Sequence, residues 1–176
     1  MGNIPLIITE FGIPLDLGKK RAYKTGDFTI QDKALHRSFL AIDDNLVSSI
    51  LWNYTGHNSN AEGDHWNEED LSIFSKDQHE STACPYSGAR AKNAFIRPYP
   101  ITTAGRPLRI HFKMEKRLFE YQFEHDPLIL DHPTEIFLPN LHFGKGFVVE
   151  LSDGHYELDK ERQILKYYHS QNQSIH

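Results

Sequence analysis

The sequence has 176 residues, of which 39% are apolar and 12% aromatic, enough for one large domain or two small ones with packed interiors. A formal charge of −5 with no basic stripe argues against a nucleic-acid partner. No apolar run approaches the ~20 residues of a membrane span, no signal peptide is visible at the amino terminus, and the single cysteine, Cys84, excludes an internal disulfide framework while leaving the compartment open.

The first element is Pro5-Leu6-Ile7-Ile8-Thr9-Glu10-Phe11-Gly12. Its branched apolar run predicts a strand buried on both faces. Side chains alternate along a strand, so Leu6, Ile8 and Glu10 share one side and Ile7 and Thr9 the other. Glu10 is then the last residue of an apolar line at the strand's carboxyl end, where parallel sheets place their chemistry. Such a carboxylate is either a nucleophile or proton donor, or a strand-end acid that caps a turn or pairs with a base.

Residues 13–31 read as a loop, and the basic cluster Lys19, Lys20 and Arg21 as a solvated face. A helix is expected from Asp32, as its cap, to Asp44, with Leu35, Phe39 and Ile42 on one face. A second strand is expected over Leu46–Tyr54, with Ser48, Ile50, Trp52 and Tyr54 on one side. Strand, helix and strand at this spacing make one parallel crossover unit. The polar loop Thr55–Glu69 carries His57 and His65, but their spacing fits neither a calcium loop nor a zinc motif, so no metal is expected there. No cofactor signature is present. Residues 76–87 read as an exposed connector and Gly88–Phe95 as a short helix.

Arg97-Pro98-Tyr99-Pro100 interrupts any helix and stiffens the chain, dividing it into residues 1–100 and 101–176. Beyond it apolar and polar residues alternate through Leu108–Met114 and Phe119–Phe123, again at Thr134–Pro139 and Gly146–Leu151, and near Tyr156–Leu158. Short alternating segments between turn-formers predict a small antiparallel β-sandwich. The tail from about Asn172 is expected to fray.

Ile8-Thr9-Glu10-Phe11-Gly12, Leu51-Trp52-Asn53-Tyr54, Gly63-Asp64-His65-Trp66-Asn67-Glu68-Glu69-Asp70-Leu71-Ser72 and Arg97-Pro98-Tyr99-Pro100, in this order, resemble glycoside hydrolase family 5. They are most similar to its endoglycoceramidase and glucosylceramide/steryl-glucoside β-glucosidase branch. The resemblance implies that residues 1–100 are the last two strand–helix units of an α/β (TIM) barrel, followed by an all-β antiparallel sandwich. It implies a retaining β-glycosidase acting on a glycolipid or β-glucoside, with two carboxyl groups about 5–5.5 Å apart. By position Glu10 corresponds to the nucleophile and Trp52 to the aromatic floor under the sugar. Asn53, Tyr54, Asn58, Asp64, Trp66 and Asn67 would line the substrate site. The family's proton donor, in an Asn-Glu pair ending the fourth strand, has no counterpart here, nor have strands one to six. The expected partner is therefore the missing amino-terminal barrel portion, or a second copy, and the chain by itself should be inactive. The alternative is a non-catalytic glycan- or lipid-binding module on a barrel remnant.

Overall fold

The computed structural model describes residues 5–65, 68–129 and 132–176. The chain divides into two compact units, one formed by residues up to Ile42 with Val47–Phe95, the other by Asp43–Leu46 with Ile96–His176.

In the first unit strand β1 (Ile7–Phe11) runs parallel to β2 (Ser48–Leu51). Ile7 stands opposite Ser48 and Phe11 opposite Leu51, with one irregularity between Ile8 and Phe11. Helices α1 (Arg21–Thr25) and α2 (Thr29–Asp44) form the crossover. Gly26 stops α1 in the left-handed conformation, its N–H donating to the Ala22 carbonyl at 2.8 Å. Helix α2 starts three residues before the expected Asp32. The Asp27 carboxylate accepts from both the N–H and the hydroxyl of Thr29 and so fixes the earlier start. Asp32 lies buried inside the first turn, accepting from Asn93 Nδ2 at 2.7 Å and from the Ala94 N–H.

Strand β1 is not buried on both faces as expected: Leu6 is 66% exposed, Ile7 53% and, on β2, Ile50 57%. Among the described residues β2 is the only ladder partner of β1, and none of them covers these side chains. The helix expected over Gly88–Phe95 is a single turn, α3 (Lys92–Phe95), because Gly88 and Ala91 both take positive φ.

The second unit holds two antiparallel sheets. One has the order β3 (Tyr99–Thr102), β6 (Thr134–Phe137), β8 (Ile164–Tyr168), β7 (His155–Asp159). The other is the hairpin of β4 (Gly105–Lys113) with β5 (Leu118–His125). Phe112 and Phe123 of the hairpin form one apolar core with Leu138, Leu165, Tyr167 and Phe143, the last at the end of α4 (Asn140–Phe143). Pairing of β3 with β6, and of the Arg97 guanidinium with Asp43, brings residues 96–100 into this unit, ahead of the expected break at 101.

Two expectations are corrected here, and one strand is added. Gly146–Leu151 forms no ladder: Val149 packs against the core while Val148 is 87% exposed, an alternation without a neighbouring strand. Strand β8, unforeseen beside the charged Lys160-Glu161-Arg162, lies between β6 and β7 and buries Ile164, Leu165 and Tyr167. The tail does not fray. His176 and Phe123 exchange two backbone hydrogen bonds of 2.9 Å, and the His125 N–H donates to the Ser174 carbonyl at 3.0 Å.

Candidate active site

Because β1 and β2 are parallel, their carboxyl ends lie side by side, and these ends carry Glu10 and Trp52. The Trp52 N–H donates to the Phe11 carbonyl at 2.7 Å, continuing the pairing one residue past β2. Each neighbour of Glu10 has a packing reason. The Phe11 ring meets Phe39 of α2 edge-on at 5.0 Å. Gly12 faces the Trp52 carbonyl so closely that a Cβ there would lie 2.1 Å from its oxygen. Glu10 itself has no such reason. It is exposed and makes no hydrogen bond or ion pair among the described residues.

Past Trp52 the chain leaves the ladder, so the expected strand does not extend to Tyr54. The Trp52–Asn53 peptide bond is cis. Asn53 turns toward the following loop: its N–H donates to the Leu71 carbonyl, its carbonyl accepts from the Ile73 N–H, and its Nδ2 donates to Asp64 Oδ2 at 2.9 Å. The same Asp64 oxygen accepts the Leu71 N–H at 3.0 Å. Trp52 is half-buried and Tyr54 is 69% exposed, its ring 5.5 Å from that of Phe74. Asn58 is fully buried and donates from Nδ2 to Asp70 Oδ1 at 2.8 Å. Trp66 and Asn67 lie outside the described residues.

Sequence reasoning missed what holds this loop, a buried ion pair between distant residues. Arg90, with no exposed surface, grips Asp70 with two parallel bonds of 2.7 and 2.6 Å and donates from Nε to the Ser72 carbonyl at 3.1 Å. The Tyr23 hydroxyl donates to Asp70 Oδ2 at 2.5 Å, and the Arg90 guanidinium lies 5.3 Å from the Tyr23 ring centre. Burial pushes the Asp70 carboxyl up, but bonds from Arg90 and Tyr23 outweigh it and hold the group below the usual carboxylate range. Burial, with Asp70 beside it, pushes the Tyr23 phenol above its ordinary value. One signal could have pointed to Arg90. Its neighbours Gly88, Ala89 and Ala91 are small, and a small-residue run leaves room for one large buried side chain. His57 and His65 stack at 6.4 Å, and neither belongs to a three-residue metal-ligating group among the described residues.

The arrangement thus presents one accessible carboxylate and one half-buried indole at adjacent strand ends, beside a loop fixed by a buried ion pair. A carboxylate in that position can attack an electrophilic carbon, and an indole face can carry an apolar sugar face.

Comparison with known proteins bears on the family. Residues 97–176 match the model of the glycoside hydrolase family 5 C-terminal domain. Residues 97–176 are thus a glycoside hydrolase family 5 C-terminal domain, and the whole chain is similar to the carboxyl-terminal part of glycosidases. It is 31% identical to a glucosylceramidase of Rhizopus delemar over 99% of its own length and 28% of the relative's. An ergosteryl-beta-glucosidase of Saccharomyces cerevisiae is 28% identical over 95% of this chain and 29% of the relative. Among solved structures, Cryptococcus neoformans sterylglucosidase 1 superposes with a TM-score of 0.86 at 33% identity, covering 99% of this chain and 28% of that one. Endo-glycoceramidase II from Rhodococcus sp. superposes with a TM-score of 0.64 at 15% identity, which shows a shared fold alone. The chain therefore spans 21–29% of the length of the curated relatives it matches. Among the described residues its strands close no barrel, and no helix is long and apolar enough to cross a membrane.

Proposed function

We propose that the chain is the carboxyl-terminal part of a retaining β-glycosidase acting on glycolipid glucosides, with residues 1–100 as the last two strand–helix units of a (β/α)₈ barrel and residues 101–176 as its β-sandwich. The observation that carries this reading is the placement of Glu10 and Trp52 at neighbouring strand ends, in a chain that superposes along its whole length on a sterylglucosidase.

In the complete barrel the Glu10 carboxylate attacks the anomeric carbon and forms a glycosyl ester. The leaving oxygen takes its proton from a carboxylic acid contributed by the rest of the barrel, and water then hydrolyses the ester with that same acid acting as base. Trp52 carries the apolar face of the glucose ring. Tyr54 belongs to the substrate mouth, and the family resemblance assigns Trp66 and Asn67 to substrate binding. Asn53, Asp64 and Asn58 act by positioning: each has a side-chain polar atom bonded to this loop or its flank, and Asn58 is shut off from solvent.

The exposed Leu6, Ile7, Ile8 and Ile50 support the accompanying proposal, that the first unit needs the remaining barrel or self-association and that the chain alone hydrolyses no glycoside. The test is to supply the missing barrel, fused or co-expressed, and assay an aryl β-glucoside. Glu10→Gln is expected to lower turnover at least about a thousandfold. Near-normal turnover by that variant would remove Glu10 from the chemistry.

One observation favours the non-catalytic alternative. The second unit holds a half-open cavity of about 550 Å³ lined by Phe119, Tyr121, Phe147, Val149 and Leu165. Saturable binding of a fluorescent ceramide by the chain, blocked by Tyr121→Ala and combined with no activity in the barrel-completed protein, would favour it.

A further inference from the structure

Three histidines far apart in the sequence converge at one end of the second unit. His125 is the last residue of β5, His169 follows β8, and His176 comes from the tail. Their ring centres lie 4.9, 5.3 and 4.9 Å apart, and one ring nitrogen from each falls within 4.8 Å of the other two.

The hydrogen bonds around the rings fix where the lone pairs point. Asp153 Oδ1 lies 3.1 Å from His176 Nδ1, and the same carboxylate accepts from the Tyr167 hydroxyl at 2.7 Å and from the Ser170 hydroxyl at 2.5 Å. An ionised carboxylate only accepts, so the proton of His176 sits on Nδ1 and its Nε2 is a lone pair. That Nε2 faces His125 Nδ1 at 3.0 Å. A single N–H···N bond satisfies these two atoms and leaves a third nitrogen out: His169 Nδ1 is buried with no hydrogen-bond partner. A buried polar atom without a partner is costly. A cation accepting one lone pair from each ring satisfies all three at once.

We propose that His125, His169 and His176 form a zinc site, with Asp153 as the carboxylate that orients His176. Two nitrogens bound tetrahedrally at about 2.0–2.1 Å from zinc stand about 3.3 Å apart. The rings reach this separation from the observed 3.0–4.8 Å by small rotations. Neutral imidazoles select zinc, copper(II) or nickel over magnesium or calcium. A carboxylate on the far nitrogen of a ligating histidine is the usual way such a ring is held. On binding, zinc takes the place of the His125 Nδ1 proton, which moves to Nε2 of the same ring. Three protein ligands leave a fourth position for water. The ion ties the tail and the end of β8 to the end of β5, so binding to the folded form stabilises that end of the unit.

The test uses the full chain, dialysed against a chelator and titrated with Zn²⁺ alone. One equivalent is expected to bind, with a rise in Tm, and X-ray absorption at the zinc edge should count three imidazoles. His169→Ala is expected to lower affinity at least about tenfold and Asp153→Asn about 10–100-fold, while His57→Ala with His65→Ala leaves binding unchanged. No stoichiometric binding, or binding lost with His57 and His65 rather than with His169, overturns the site. If His169→Ala fails to fold, an absorption spectrum of the unaltered chain showing fewer than three imidazoles overturns it equally.

Discussion

The two units are built on opposite interiors. In the first, the buried apolar set is small, consisting of Leu15, Ala22, Phe28, Leu35, Ala91 and Ala94, and the largest enclosed side chain is Arg90. Gln31, Asp32, His36, Asn58, Asp70, Ser72 and Ser75 are buried with it. Leu6 and, on β1 and β2, Ile7, Ile8 and Ile50 are exposed. The second unit encloses Phe112, Phe123, Leu138, Phe143, Ile164, Leu165 and Tyr167. The difference separates two sources of order. Hydrogen bonds and one ion pair can hold a loop in a single conformation, but the burial that drives folding comes from apolar area. The first unit is therefore a precise loop on an incompletely covered sheet, and the second is a self-sufficient core.

Arg90→Ala breaks the comparison most severely. It leaves the Asp70 carboxylate buried without its cation, and should destabilise the first unit by about 3–5 kcal/mol. Urea unfolding of the barrel-completed protein, followed by Trp52 fluorescence, measures this. Phe112→Ala is the counterpart, with an expected loss of about 3–5 kcal/mol confined to the second unit. Amide exchange sharpens the same contrast in the chain alone: β1 and β2 should exchange early, and β5 and β8 last. Equal protection in both pairs would remove the distinction.

A smaller effect is expected from Trp52→Ala, about 1–3 kcal/mol lost from sugar binding by the barrel-completed enzyme through stacking and apolar area. An unchanged KM and kcat would return Trp52 to a packing role.

The smallest effect is the acid limb. Asp70 titrates below its ordinary value in the folded state. In the second unit, burial raises the Asp153 carboxyl, but bonds from Ser170 and Tyr167 overcome this and bring it to about 2. A depressed carboxylate contributes stability that is complete above its unfolded value, near 4, and is lost as pH falls through the folded one. Asp153→Asn should therefore flatten the decline of the second unit between pH of about 4 and 2, and Asp70→Asn that of the first unit below about 4. A Tm that falls equally steeply in both variants would show that other groups govern the limb.

These contrasts also mark what the sequence could show. β1, the crossover helix and the β4–β5 hairpin were readable because local periodicity determines them. The exposure of β1 was not, since a run of Leu and Ile states that a strand is meant to be covered without stating by what. Strand β8 was missed because Ile164–Tyr168 is short, flanked by charge, and recognisable only beside β6 and β7. Glu10 and Trp52 stood out as polar or aromatic ends of apolar runs. Arg90 and the three histidines did not. Their partners are distant in sequence, and no local pattern records a contact that the fold alone creates.

The central claim, that Glu10 forms the covalent bond to the sugar, is tested most directly by trapping that bond. The barrel-completed protein is treated with a 2-deoxy-2-fluoro-β-glucosyl fluoride, digested and mapped by mass spectrometry. The predicted result is one fluoroglucosyl adduct on the peptide containing Glu10, absent from Glu10→Gln. An active enzyme that carries the adduct on another carboxylate, or forms none and inverts the anomeric configuration, would contradict it.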